Sequence, residues 1–265
     1  EPVFRRLNKL LICDKCHNAE SPFKLSIGGP GVKDYCAACA SYTKFRRIRL
    51  FADSNSDWLD PKWPVETLAR FLDAIRLAPN VGVLLLTKRI EEWRLRLEAV
   101  ERNYVGADTF NAVVFYSWVK DWLDGNPPVN VWLGVSVEDQ KRADERIPLL
   151  LKTPAVVQFL SVEPLLERID LKKSGVIFED CEGNLEDPDP ALRRYFDRSE
   201  LSWCIVGGES GKNRRDCGVE AIEDVARQCA EAGVPCFVKQ DSHLLPGQRG
   251  RLSENAWSRK EFPKR

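Results

Sequence analysis

Two Cys-x2-Cys pairs open the chain, Cys13 with Cys16 and Cys36 with Cys39, separated by nineteen residues. Each short turn directs two thiolates at one point, and two such turns complete a tetrahedral sulfur shell at about 2.3 Å per bond. The spacing predicts a zinc-ribbon-like module holding one structural Zn2+. Iron, a cluster or a redox pair would use the same four residues. His17 adjoins Cys16, but with four sulfurs at hand it reads as a bystander. Cys181, Cys204, Cys217, Cys229 and Cys236 are scattered. Of these, Cys204 and Cys236 fall inside apolar runs and read as buried small hydrophobes.

The second set of reactive side chains is defined by position. Each of six short apolar runs is followed closely by polar residues or glycine: Asp53 to Asp57; Thr87, Lys88 and Arg89; Ser136, Glu138 and Asp139; Ser161, Glu163 and Pro164; Gly207, Gly208, Glu209 and Ser210; Lys239 and Gln240. In barrel-type α/β folds the reacting groups sit at the carboxyl ends of parallel strands, so these tips are expected to share one rim. Glu163, Glu209 and Lys239 are the candidate catalytic groups. Ser136, Ser161, Gly207 and Gly208 are the candidate cofactor-binding ones. The glycines would let backbone approach a ligand, with N–H groups facing an anion. Glutamates would accept from amines or ribose hydroxyls, and Lys88, Arg89 and Lys239 would neutralise a carboxylate or phosphate. The bland alternative is that these polar residues are strand exits, ion-pair members and helix caps. No GxxxxGK[ST], HExxH or GxSxG motif occurs, and His17 and His243 are the two histidines. Histidine-based triads and His-rich catalytic metal sites are therefore disfavoured.

Those tips need elements to carry them. Ile48–Ala52, Val81–Leu86, Val131–Val135, Val156–Leu160, Trp203–Val206 and Pro235–Val238 are near-continuous apolar runs, as strands buried on both faces require. Between them, Pro64–Leu77, Glu91–Val100, Asp139–Leu151 and Val219–Ala232 carry apolar residues at helical spacing, and Gly233 with Pro235 closes the last. Strand–helix alternation predicts a parallel sheet with right-handed crossovers. The first strand lacks the glycine-rich turn of a dinucleotide-binding fold, which favours a partial TIM-type (β/α)6 barrel. The expected division is a zinc-ribbon-like module over residues 1–45 and a barrel domain over 46–265. Inserts are expected at 101–128, a helical pair, and at 172–200, an acidic surface stretch.

Composition sets the remaining bounds. With 43% hydrophobic and 30% charged residues, the 265-residue chain can bury a core without disulfides. It has no apolar run of transmembrane length and no secretory leader pattern, so no membrane partner is expected, and a reducing cytoplasm fits the cysteines. The 40 basic and 40 acidic residues cancel. Their distribution does not: residues 1–50 hold ten Lys/Arg against four Asp/Glu. That basic front end is either a solvated face or a nucleic-acid contact. Methionine is absent from the whole chain, as expected of a fragment.

Four stretches bear a family likeness: Val131-Trp-Leu-Gly-Val-Ser-Val-Glu-Asp-Gln140, Phe159-Leu-Ser-Val-Glu-Pro-Leu165, Ile205-Val-Gly-Gly-Glu-Ser-Gly211 and Gly233-Val-Pro-Cys-Phe-Val-Lys-Gln240. With Phe51–Leu59 and Leu84–Trp93, they resemble a phage-encoded family of unknown function known by phage gene-product numbers. Its members resemble radical S-adenosylmethionine enzymes. The likeness covers about residues 46–240 and implies a (β/α)6-type barrel binding S-adenosylmethionine and a [4Fe–4S] cluster, in the cytoplasm of a host cell. Members carry a cysteine cluster ending in CxxC and an aromatic residue before the first strand. Here CxxxCxxC occurs nowhere, so the four-cysteine module reads as an insert and the cluster ligands are expected upstream of Glu1. The expected function is a radical S-adenosylmethionine-type enzyme, or a fragment of one, acting on a nucleic-acid base or nucleoside. The alternative is a non-catalytic, zinc-containing phage protein that grips nucleic acid through its basic front end.

Overall fold

The computed structural model describes residues 48–52, 56–104, 109–176 and 201–263 in full, and residues 11–13, 19–20, 34–36, 41–43 and 45–47 as strand backbone. It divides into two compact units, one of Glu1–Leu85 with Glu92–Trp132 and one of Leu86–Glu91 with Leu133–Arg265. Cys16 and Cys39 lie outside the described residues, and Cys13 and Cys36 are described as strand backbone alone, so the four-thiolate site lies outside them too.

In the first unit, β1 (Leu11–Cys13) pairs antiparallel with both β2 (Ala19–Glu20) and β5 (Phe45–Ala52), and β3 (Asp34–Cys36) pairs antiparallel with β4 (Ser41–Thr43). β5 runs parallel to β6 (Val81–Thr87) over Ile48↔Val81 to Ala52↔Leu85. Helix α1 (Val65–Arg76) connects them. Pro64 precedes it at φ −53°, the angle its ring imposes, and Leu68, Leu72 and Ile75 turn one buried face inward. Helix α2 (Trp93–Tyr104) and helix α3 (Phe110–Leu123) follow β6. Among the described residues, region 101–128 holds the end of α2 and helix α3. Thr109 caps α3 by accepting from Ala112 N at 3.3 Å. Around Trp122, Trp58 stacks at 6.3 Å, while Trp93 and Trp118 meet it edge-on at 5.9 and 5.8 Å, a packing of indoles that joins both helices to the loop after β5.

The second unit contains the parallel ladder β7 (Val131–Ser136), β8 (Gln158–Val162), β9 (Trp203–Gly207) and β10 (Cys236–Gln240), in chain order. The unit division falls within β6 and within β7. Nearly every residue of β7, β8 and β9 is buried, as sandwiching between layers demands. Helix α4 (Gln140–Lys152) supplies the crossover from β7 to β8 and helix α5 (Val219–Glu231) that from β9 to β10, and a short helix α6 (Glu254–Trp257) follows β10. Asp139 starts α4 by accepting from Arg142 N at 2.8 Å. Gly233 ends α5 at φ 68°, a left-handed residue where glycine carries no Cβ penalty. The last residues run along the open side of β10: Val238 N donates to Arg259 O, and Glu261 N to Cys236 O. They blunt that edge, and Phe262 packs on Trp203 at 5.2 Å and on Phe237 at 5.5 Å. This is the α/β class, with β5 to β10 the six parallel strands that the alternation requires. Residues 177–200 of the acidic stretch lie outside the described set. Among the described residues, no helix is long and apolar enough to cross a membrane.

Candidate functional site

A repeated tripeptide builds the polar tips of the second unit. Ser136-Val137-Glu138 ends β7 and Ser161-Val162-Glu163 ends β8. Ser136 and Ser161 are register partners, and Val137 N donates to Ser161 O at 2.9 Å. In-register parallel strands put equivalent residues on the same face, so the two serines share one face of the sheet and the two glutamates follow them in step. Both serines are buried.

Each glutamate holds a lysine. Glu138 Oε1 meets Lys88 Nζ at 2.7 Å and accepts from Ser136 Oγ at 2.9 Å, while its Oε2 accepts from Arg146 at 2.9 Å. Arg146 also donates to Ser136 O at 2.7 Å. Burial is the largest single influence on Glu138 and pushes its carboxyl up, but the donors Lys88 and Ser136 and the charge of Arg146 outweigh it and hold it below the usual carboxylate value. Glu163 Oε1 meets Lys239 Nζ at 2.8 Å. That pair spans β9, since Glu163 follows β8 and Lys239 lies on β10, and neighbouring strands are about 4.8 Å apart. The pairing register shifts between Val238 and Gln240, where Lys239 sits.

Gly207 and Gly208 lie close against β10 and the residues that follow it. A Cβ on Gly208 would lie 2.5 Å from Ser242 N and 2.9 Å from the Asp241 carbonyl carbon, so the space beside it is filled by the chain that follows β10. Gly208 N donates to Gln240 O at 3.0 Å, and Gln240 Nε2 donates back to Gly208 O at 2.8 Å. Glu209 is held by an arginine rather than a lysine. It takes both nitrogens of the Arg215 fork, at 2.8 and 3.0 Å, and Arg215 N at 2.8 Å, which hold its carboxyl down to about 2. It closes the 209–215 loop on the protein surface.

Beyond these tips, Arg251 joins two carboxylates. It reaches buried Asp241 at 2.9 Å through two nitrogens and Asp216 at 2.8 Å through two. The loops after β9 and β10 are thereby fastened together. The structure thus brings Ser136, Ser161, Glu163 and Lys239 to one set of strand tips with Lys88 and Glu138, and Arg215, the partner of Glu209, feels the charge of Glu138. Arg146 escaped the sequence reading. The available signal was a cation seven residues after the Asp139 cap, beside the inward positions Ala143, Ile147 and Leu150; such a residue needs an acid.

The arrangement offers two carboxylates, each screened by a lysine, on adjoining strands. It suits a ligand carrying both charges: an ammonium or sulfonium exchanges for lysine on the carboxylate, and a carboxylate exchanges for glutamate on the lysine. A family model described as "Protein of unknown function (DUF5131)" matches residues 13–260. No curated protein and no solved structure matches the chain.

Proposed function

We propose that this chain, which belongs to the family described as protein of unknown function (DUF5131), is an enzyme that binds S-adenosylmethionine at the strand tips of its second unit. The observation that carries the reading is the Ser-Val-Glu repeat with its Lys88–Glu138 and Lys239–Glu163 pairs. The methionyl end of S-adenosylmethionine is a zwitterion with an added sulfonium. In this reading Glu163 receives the ammonium, Lys239 the carboxylate, and Glu138 faces the cationic sulfur. Opening a half-exposed ion pair costs little, and the ligand replaces each partner with an equivalent charge. Arg146 keeps Glu138 ionised during the exchange.

The radical type of S-adenosylmethionine chemistry needs a [4Fe–4S] cluster beside the cofactor; such a pair supplies hydrogen abstraction from unactivated carbon. The described residues do not fit that cluster. Their one group of three cysteines, Cys204, Cys229 and Cys236, is buried between α5 and the sheet, near the starting ends of β9 and β10. Cluster ligands would have to be residues outside the described set. A nucleic-acid base or nucleoside is the proposed substrate class, on the strength of the basic first fifty residues and the zinc-ribbon-like cysteine spacing.

Calorimetric titration of the full chain with S-adenosylmethionine tests the binding. Glu163→Gln and Lys239→Gln are each expected to weaken it about 10–100-fold, the value of one charge-assisted hydrogen bond. No heat of binding, or an affinity in both variants equal to that of the parent chain, overturns the reading. Release of 5′-deoxyadenosine after anaerobic iron–sulfide reconstitution and reduction separates radical chemistry from binding alone.

A further inference from the structure

The cysteines Cys204, Cys229 and Cys236 are wholly buried, with their sulfur atoms all within 4.8 Å of one another. Topology brings them together. Cys236 and Cys204 are register partners on β10 and β9, and Cys229 lies on the inward face of α5 with Ile222, Val225 and Ala226. Three neighbours at one point of a helix–sheet interface exceed what buried cysteines need for packing, where any small apolar residue serves.

Three sulfurs around one ion at about 2.3 Å stand about 4 Å apart, so closure needs shifts of a few tenths of an ångström. All three donors are soft, and among the described residues no histidine or carboxylate completes the group. Zinc seeks four ligands, whereas thiolates select Cu(I), which accepts three. Glu261, the acid at this spot, has its Oε2 occupied by Cys236 N at 2.8 Å. We infer that Cys204, Cys229 and Cys236 form a three-thiolate site for a soft monovalent metal ion of the Cu(I) class. Each bound thiol releases its proton to solvent, so the loaded site is anionic and affinity rises with pH. Two charges bear on Cys236, the negative Glu261, which opposes a further anion, and the positive Arg259, which offsets part of it. Deep burial makes loading coincide with folding or with opening of α5.

The test is anaerobic titration of the full reduced chain with Cu(I) alone, against a chromogenic Cu(I) chelator. Any copper taken by Cys13, Cys16, Cys36 and Cys39 is common to every sample. Cys204→Ala, Cys229→Ala and Cys236→Ala are each expected to bind about one equivalent less than the parent chain. Equal stoichiometry in parent and variants overturns the inference. A second measurement needs no substitution: in the parent chain, Cu(I) should slow amide exchange in peptides from β9, β10 and α5 about tenfold or more. Unchanged exchange in those peptides overturns it even where a variant fails to fold.

Discussion

Removing the charge of Glu138 should unbalance the strand tips of the second unit more than any other single change there. In Glu138→Gln the side chain keeps its size and loses its ionic contacts with Lys88 and Arg146, while Ser136 Oγ retains an acceptor. The two partners matter unequally. Lys88 is 56% exposed, so its pair contributes below about 1 kcal/mol. Arg146 and Glu138 are both 12% exposed, and stripping the anion from a buried pair costs about 3–5 kcal/mol. Arg146 keeps Ser136 O and some solvent, which lowers that figure to about 2–3 kcal/mol. Unfolding in urea at pH 7 should therefore show a loss of about 2–4 kcal/mol with an unchanged m-value. The dependence on pH has a fixed sign. The folded carboxyl lies below its unfolded value, so its stabilisation is complete above the unfolded value and fades as pH falls through the folded one. The gap between parent and variant should narrow below about pH 4.5. A gap under about 0.5 kcal/mol at pH 7, or one that does not narrow on acidification, would falsify the assignment of Glu138 as the charged centre of this cluster.

Other changes probe the elements that hold the tips. Gly134→Ala places a Cβ within 2.6 Å of three atoms of the Phe159 ring and should cost about 1–3 kcal/mol; adding Phe159→Leu should return part of it, and strict additivity in that cycle would refute the contact. Arg251→Gln should cost about 1–3 kcal/mol by removing the cation from Asp241, which is 2% exposed. Burial is the strongest influence on Asp241 and pushes its carboxyl up, but Arg251 outweighs it; without Arg251 the acid loss of stability should begin at higher pH, and an identical acid limb would contradict this. For the four-cysteine module, metal analysis of Cys13→Ser and Cys36→Ser should show about one equivalent of zinc lost from each, and full zinc in both would refute a shared site.

The strands were readable because double-sided burial leaves a plain mark, an apolar run of about five residues between polar breaks. Trp203–Val206 and Val81–Leu86 fall within one residue of β9 and β6. The fourth strand was read two residues early, at Val156. That valine is 41% exposed, and the strand starts at Gln158, whose amide donates to Leu150 O, Leu151 O and Thr153 O to finish α4. A polar residue whose partners are carbonyls of another element has no periodic signature. Lys239 reads as a residue after the last strand because the apolar run ends at Val238, whereas β10 continues to Gln240 through a shift of register. The close approach of Ser242 to Gly208 was not legible in the sequence, because it depends on the path of the chain after β10. The three-cysteine group was half visible: burial of Cys204 and Cys236 followed from hydrophobicity, but their meeting with Cys229 depends on strand register and helix phase together. The Ser-Val-Glu repeat lay open in the residues, and it gained meaning when Ser136 and Ser161 proved to be register partners.

A crystal structure of the full chain grown with S-adenosylmethionine puts the ligand reading to its plainest trial. The ammonium should lie within hydrogen-bond distance of Glu163 and the carboxylate within hydrogen-bond distance of Lys239, about 2.7–3.2 Å each, with the Lys239–Glu163 pair opened. Density for the cofactor elsewhere on the chain, with that pair still closed, would contradict it.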